Sequence, residues 1–92
     1  DSMDGITGFQ RDLLYVIAGL QSPHGLAIKE EIDPYVDGEV QQGRLYPNLD
    51  TLVESGLVEK GTRDQRTNYY ELTDAGRAAL RARREWEGQY IE

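Results

Sequence analysis

The sequence predicts a mainly α-helical fold with one small β-hairpin, an α+β domain that spans residues 1–92 as a single unit. The chain has the length of one domain. Apolar residues recur at helical spacing in successive segments, and two short β-prone segments late in the chain are separated by a loop of turn-forming and charged residues. No internal repeat, linker or low-complexity segment interrupts this order.

A first helix is predicted over residues 9–20. Thr7 and Gln10 have the spacing of a capping box, which marks a helix start. Nearly every residue from 13 to 20 is apolar or aromatic, so this helix should be covered on most sides rather than along one stripe. In so small a domain, that pattern suggests an interface between subunits.

Two further helices should follow, joined by a turn. Residues 25–32 suit a short second helix that Pro34 ends, and residues 35–42 form the turn. The third helix is predicted over residues 42–55, with Gly56 as its C-cap. Its core face consists of Leu45, Leu49, Leu52 and Val53.

The end of the chain predicts a hairpin and a last helix. The strands are expected at residues 57–60 and 68–72, and Thr73 should cap a helix over residues 74–90. The order helix, helix, turn, helix, hairpin, helix is that of a winged helix-turn-helix. In that arrangement the third helix enters a major groove of DNA, and the hairpin, or wing, lies beside it.

Polar side chains on the third helix are candidates for contact with base edges. Arginine pairs bidentately with guanine, asparagine or glutamine pairs with adenine, and threonine offers a hydroxyl and a methyl group. A solvated helix face is the alternative interpretation. The candidates opposite the core face are Gln41, Gln42, Arg44, Asn48 and Thr51.

The loop of the predicted hairpin is locally basic. Residues 60–68 sum to +2 in a chain whose formal net charge is −7. Such a loop suits phosphate contact or insertion of an arginine into a minor groove, and a soluble hairpin tip is the alternative. The candidate contacts are Lys60, Arg63, Arg66 and Asn68.

Composition excludes several other classes of protein. The chain has no cysteine and one histidine, so no disulfide framework or thiolate zinc site is expected, and neither a metal nor a cofactor is predicted. No nucleophile-base pair or phosphate-binding glycine loop indicates an enzyme. No leader or membrane-spanning run is evident, which favours the cytoplasm. His24 could contact the start of the second helix or bind a phosphate, and the sequence leaves this open.

Acidic residues dominate the charge, with 17 Asp and Glu against 10 Lys and Arg. Basic residues are mostly arginine and lie mostly late in the chain. This composition is similar to that of proteins from salt-loving archaea.

Two segments carry a specific resemblance to a known family. GRLYPNLDTLVESGLVEKG at residues 43–61 and RTNYYELTDAG at residues 66–76 resemble the PadR family of winged-helix transcription regulators, in particular its haloarchaeal members. The resemblance covers nearly the whole chain. It implies that Tyr46 and its neighbours approach the DNA backbone and that the wing contacts DNA. Many members continue into a longer dimerisation helix, whereas this sequence ends at Glu92.

The last helix has two interpretations. Its aromatic residues could cover the domain's own core, or they could pack across a two-fold axis against the first helix of a second copy, as suits a pseudo-palindromic operator. The sequence favours the homodimer. The predicted dimer contacts are Phe9, Leu13, Val16, Ile17, Leu20, Ala82, Trp86 and Tyr90.

The function predicted is sequence-specific binding of double-stranded DNA by a transcription regulator. The alternative is a winged-helix module that contacts only proteins. The operator, the sign of regulation and any small-molecule effector stay open.

Overall fold

The structure is a computed structural model that describes residues 5–64 and 67–91, without the side chain of Arg63. Four helices and an antiparallel hairpin confirm the predicted α+β class and element order. The elements are α1 (Gly8–Leu20), α2 (Gly25–Ile32), α3 (Gln42–Glu54), β1 (Val58–Arg63), β2 (Thr67–Leu72) and α4 (Asp74–Gly88).

The hairpin is longer than predicted, and α4 ends before the predicted limit near residue 90. β1 continues to Arg63 and pairs there with Thr67. The extra pairs join exposed residues such as Thr62 and Asn68, which are opposite each other in the ladder. Backbone hydrogen bonds hold this part of the ladder, and its side chains do not alternate between apolar and polar. Strand prediction depends on that alternation, so the sequence did not reveal the extension.

Three of the four helices begin with a side-chain cap. Thr7 and Gln10 form the predicted capping box of α1, and Thr73 caps α4 as predicted. The imidazole of His24 caps α2, so the structure assigns this residue to the start of the helix. Gln41 precedes α3 without a side-chain hydrogen bond to that helix.

The core lies between the four helices and the root of the hairpin in the described part of the chain. Leu45, Leu49 and Leu52 turn one face of α3 fully into it, as predicted. The first helix differs from expectation, because within the chain it is buried along one face only. Tyr15 and its neighbours at positions 18 and 19 are exposed. Uniform apolarity over residues 13–20 did not reveal which face packs inward.

An ion-pair cluster holds the turn between α2 and α3. The ammonium of Lys29 lies 2.8 Å from Asp33 Oδ2 and 2.7 Å from Glu39 Oε2. Asp33 Oδ1 also accepts a hydrogen bond from the backbone N–H of Val40 at 2.9 Å. The hydrogen bond from Lys29, followed by that from Val40, lowers the pKa of Asp33. Contact with Asp33 and then Glu39 raises the pKa of Lys29.

The two segments that resemble the PadR family meet where α3 leads into β1. Gly56 has a φ of +85°, a left-handed conformation that glycine adopts without strain, and it turns the chain into β1. The hydroxyl of Thr73 donates to the Gly56 carbonyl at 2.6 Å, and the Thr73 N–H donates to the Leu57 carbonyl at 3.1 Å. Gly76 packs directly on that carbonyl, where a Cβ would overlap the oxygen. The junction thereby sets the direction in which α4 leaves the hairpin.

Candidate nucleic-acid interface

The polar face of α3 lies on the surface beside the hairpin. Gln41, Gln42, Arg44 and Thr51 are exposed, and Asn48 is half-buried. The leucines of the opposite face hold the helix against the core. A helix mounted in this way presents side chains in a row along a single exposed edge, as a helix in a major groove requires.

The side chain of Arg44 packs against a residue of α1. Its guanidinium carbon lies 3.9 Å from the centroid of the half-buried Phe9 ring. Stacking covers a face of the guanidinium plane, whereas its N–H donors lie within that plane. The contact therefore orients Arg44 without using the donors that a guanine would need. Phe9, predicted as a dimer contact, packs within its own chain.

Asn48, a candidate for contact with base edges, makes two hydrogen bonds within the chain. Its Oδ1 accepts a hydrogen bond from Gln10 Nε2 at 2.8 Å, and its Nδ2 donates to the Arg44 carbonyl at 2.7 Å. One N–H and one oxygen lone pair of this amide stay available. Thr51 likewise bonds within the helix, to the Pro47 carbonyl at 3.1 Å. Both side chains keep some hydrogen-bonding capacity, although each already bonds within the chain.

The wing is attached to α3 and to the loop before α2. Lys60 Nζ lies 3.7 Å from Asp50 Oδ1, so the cation predicted to contact DNA is partly neutralised within the chain. The N–H of Tyr70 donates to the Pro23 carbonyl at 2.9 Å. Asn68 is exposed on β2. The side chain of Arg63 is not described, and Arg66 lies outside the described residues.

Tyr46 lies in an open cleft between the start of α2, α3 and β2. Its ring packs on Gly25, where any Cβ would collide with the ring. The side chain is 37% exposed, so one edge reaches solvent. Burial raises the pKa of Tyr70 on the neighbouring strand, and the negative charge of Asp50 adds to this effect. The cleft has a volume of about 530 Å³ and is lined by His24, Gly25, Leu26, Tyr46, Thr67, Asn68 and Tyr70.

Apart from Phe9, the predicted dimer contacts divide into three groups. Trp86 and Tyr90 are 49% and 67% exposed, and their rings meet edge to face at 5.1 Å. Ala82 is also exposed, and Val16 and Leu20 are half-buried. Leu13 and Ile17 do not fit the prediction, because they are 0% and 1% exposed in the chain's own core. Their four-residue spacing places both on the inward face of α1.

Gln10 is the residue that sequence reasoning missed. Its role in the capping box was visible in the sequence, but its contact with Asn48 joins residues 38 positions apart. It is buried, at 7% exposure, and connects α1 to the polar face of α3. No periodicity or motif within one segment could have indicated that contact.

Metal and membrane features are missing from the described part of the chain. Across residues 5–64 and 67–91, no group of three or more His, Asp or Glu side chains could hold a metal ion. Within the same ranges, no helix combines the length and apolarity that crossing a bilayer requires.

Comparison with known proteins agrees with the fold. Residues 13–82 match the family described as the transcriptional regulator PadR-like family. The chain belongs to this family. The PadR-like match includes all of α2, α3 and the hairpin. No curated protein matched the chain.

Solved structures place this PadR-like chain near a haloarchaeal regulator. It is 45% identical to H. salinarum RosR, with a TM-score of 0.89, over 98% of this chain and 82% of the RosR chain. A RosR complex designated hsRosR-S1 has 50% identity and a TM-score of 0.84, over 89% of this chain and 72% of that chain. A mutant of E. coli MarR complexed with operator DNA has 28% identity and a TM-score of 0.74, over 85% and 53% of the respective chains.

Proposed function

We propose that this PadR-like regulator binds double-stranded DNA sequence-specifically, with α3 in the major groove and the wing on the backbone or in the minor groove. The observation that carries the proposal is the exposed row on α3, in which Arg44 stacks on Phe9 and its guanidinium makes no hydrogen bond or ion pair with the residues that the structure describes. An arginine held in this way loses little conformational entropy when it pairs with guanine.

The surroundings of α3 support this orientation. Tyr46 borders the cleft beside the wing, where a DNA backbone that follows the major groove would pass. Gln41 and Gln42 extend the polar row at the N-terminus of α3, whose unpaired N–H groups favour phosphate. Arg63, Arg66 and Asn68 would supply wing contacts. The structure of MarR with operator DNA adds support from a protein of similar fold.

The active species in this proposal is a homodimer on a pseudo-palindromic operator. Trp86 on α4 and Tyr90 just beyond its end expose aromatic surface, Tyr15 on α1 is exposed, and Val16 and Leu20 are half-buried. Packing these surfaces across a two-fold axis would bury them, and a two-fold dimer matches an operator with two symmetric half-sites. The proposed dimer surface is therefore Val16, Leu20, Ala82, Trp86 and Tyr90.

No catalytic step, metal or cofactor forms part of the proposal. The chain would act in the cytoplasm, where it meets chromosomal DNA. A protein-interaction module without specific DNA binding is the competing function, and no contact described in the structure favours it.

Selection from a pool of random duplexes tests the proposal. The wild-type protein should enrich one motif with two symmetric half-sites, and a labelled duplex carrying it should bind at two chains per duplex. A scrambled duplex of the same composition is the control. Equal binding of the selected and scrambled duplexes would favour the protein-interaction module instead.

A further inference from the structure

A chain of hydrogen bonds links the first turn of α1 to the polar face of α3. The backbone N–H of Thr7 donates to Gln10 Oε1 at 3.1 Å, and Gln10 Nε2 donates to Asn48 Oδ1 at 2.8 Å. Asn48 Nδ2 in turn donates to the Arg44 carbonyl at 2.7 Å. The two amides therefore lie between a backbone group that can only donate a hydrogen bond and one that can only accept it.

The ends of this chain decide how both amides are oriented. A backbone N–H only donates and a carbonyl only accepts, so Gln10 must turn its oxygen to Thr7, and Asn48 must turn its nitrogen to Arg44. Reversal of either amide would bring two donors or two acceptors together. At 7% exposure, Gln10 is also shielded from water that could compensate for a lost partner.

We propose that Gln10 is a positioning residue for DNA reading, and this inference rests on the proposed function. Gln10 is too buried to touch a base. It holds Asn48 so that one fixed donor and one fixed acceptor stay available at the DNA face. Because an asparagine distinguishes adenine by the order of its donor and acceptor, the orientation of this amide contributes to base preference.

A purely structural role for Gln10 makes a different prediction. Since Gln10 closes the capping box of α1, its loss could simply destabilise the helix. Gln10→Glu separates the two roles, because a carboxylate still accepts the Thr7 N–H but has no hydrogen to donate to Asn48. The contact with Asn48 then loses its donor, while the cap of the helix is kept.

The test compares base preference with stability. Wild type, Gln10→Glu, Asn48→Ala and the double variant are titrated at pH 8 with the selected duplex and its single-base variants. Gln89→Glu, an exposed change at the end of α4, controls for the added charge. Gln10→Glu should reduce discrimination at one base pair in each half-site by roughly 5- to 100-fold, the range of one lost base contact. Its unfolding midpoint should fall below that of Gln89→Glu, because a buried carboxylate then faces the Asn48 oxygen, so all titrations are made at a temperature at which every variant is folded.

The double variant decides whether Gln10 acts through Asn48. In the Asn48→Ala background, Gln10→Glu should change discrimination no further. An unchanged base preference in Gln10→Glu, or an equal loss in both backgrounds, would overturn the inference while leaving the proposed function intact. A wild-type protein that selects no sequence would instead overturn the proposed function, and the inference with it.

A measurement on the protein without DNA tests the positioning of Asn48 directly, and a second variant shows that the result does not depend on the charge of Gln10→Glu. Nitrogen-15 relaxation of the Asn48 side-chain amide should show a rigid group in wild type and a mobile one in Gln10→Glu. Gln10→Met, which keeps the volume but loses both hydrogen bonds, should give the same result. An Asn48 amide that is equally rigid in a folded Gln10→Met protein would contradict the positioning role.

Discussion

The Arg44 guanidinium stacks on the Phe9 ring, so the first turn of α1 forms a platform beneath the polar face of α3. The 3.9 Å separation lies well within the range of a cation–π contact, which contributes about 0.5–1 kcal/mol at an exposed site. The ring also replaces water on one side of the guanidinium, so that the side chain has fewer conformations to lose on binding. The side chain of Arg44 is therefore preorganised for the proposed contact with a guanine.

Replacement of Arg44 should change base preference. If Arg44 pairs bidentately with a guanine, Arg44→Ala should cost roughly 1–3 kcal/mol at the selected site and relax preference at one base position. Arg63→Ala with Arg66→Ala should weaken binding more evenly across sequences, because phosphate contacts carry no base information. Fluorescence anisotropy against single-base variants of the duplex measures both profiles. A wild-type profile from Arg44→Ala would reject this role.

Removal of the aromatic pair at the C-terminal end of α4 should dissociate the proposed dimer. The change is Trp86→Ser with Tyr90→Ser, and it should lower the association of subunits and make the unfolding midpoint less dependent on protein concentration. Leu26→Ser, which replaces an exposed apolar residue on α2, is the control. Light scattering at micromolar concentration measures the mass. A wild-type protein with the mass of a monomer would exclude the proposed dimer.

Salt should weaken DNA binding only slightly. Two chains of formal net charge −7 would repel DNA strongly at low salt, where the Debye length is about 30 Å at 0.01 M and falls to about 3 Å at 1 M. Lys60 is partly neutralised by Asp50, which reduces the number of cations free to replace counterions. Binding should therefore persist above roughly 1 M KCl, rather than fall with a slope near −0.9 for each phosphate contacted.

Anisotropy titrations across a KCl series check this dependence. Glu30→Gln with Glu31→Gln removes two exposed charges from α2. This variant should bind more tightly at low salt and lose affinity more steeply as KCl rises. A wild-type affinity that drops steeply from the lowest salt upward would contradict the screening mechanism.

Two glycines in α4 should respond oppositely to alanine. Gly76→Ala places a Cβ against the Leu57 carbonyl oxygen, and the strain should lower the free energy of unfolding by about 1–3 kcal/mol. Gly88→Ala meets open space at the end of the same helix and should be neutral or stabilising by less than about 1 kcal/mol. Urea unfolding at one protein concentration compares them. Equal stability of the two variants would show that the junction yields to the extra carbon.

Acid should loosen the turn between α2 and α3. The pKa of Asp33 is lowered by Lys29 and then by the Val40 N–H, so its stabilising contribution is complete above the ordinary value of 3.8 and disappears as the pH falls through its folded value. Asp33→Asn should therefore lower the melting temperature at pH 7 and flatten its decrease below pH 3.8. Asp37→Asn, in the same turn, is the control. Parallel pH profiles for wild type and Asp33→Asn would exclude this linkage.

Local signals in the sequence predicted the elements and their order correctly. The Thr7–Gln10 capping box, the Thr73 cap and the leucines of α3 each depend on residues within one or two helical turns. The two caps are local hydrogen bonds, and the leucine spacing sets which side of α3 is apolar, so both can be recognised within one segment. The glycine at position 56 was likewise recognisable as the residue that ends α3, because the backbone there is left-handed and glycine adopts that conformation without strain.

Contacts between distant segments were decided only by the tertiary structure. The all-apolar stretch in α1 did not show that Leu13 and Ile17 face the core while Tyr15 faces outward. Likewise, the Arg44–Phe9 stack depends on how α1 crosses α3. Such contacts depend on packing between elements, which residue type and spacing within a single segment do not specify. The sequence by itself therefore determined which side chains are candidates for contact with DNA, and the tertiary structure decided which of these candidates are held by contacts with other elements.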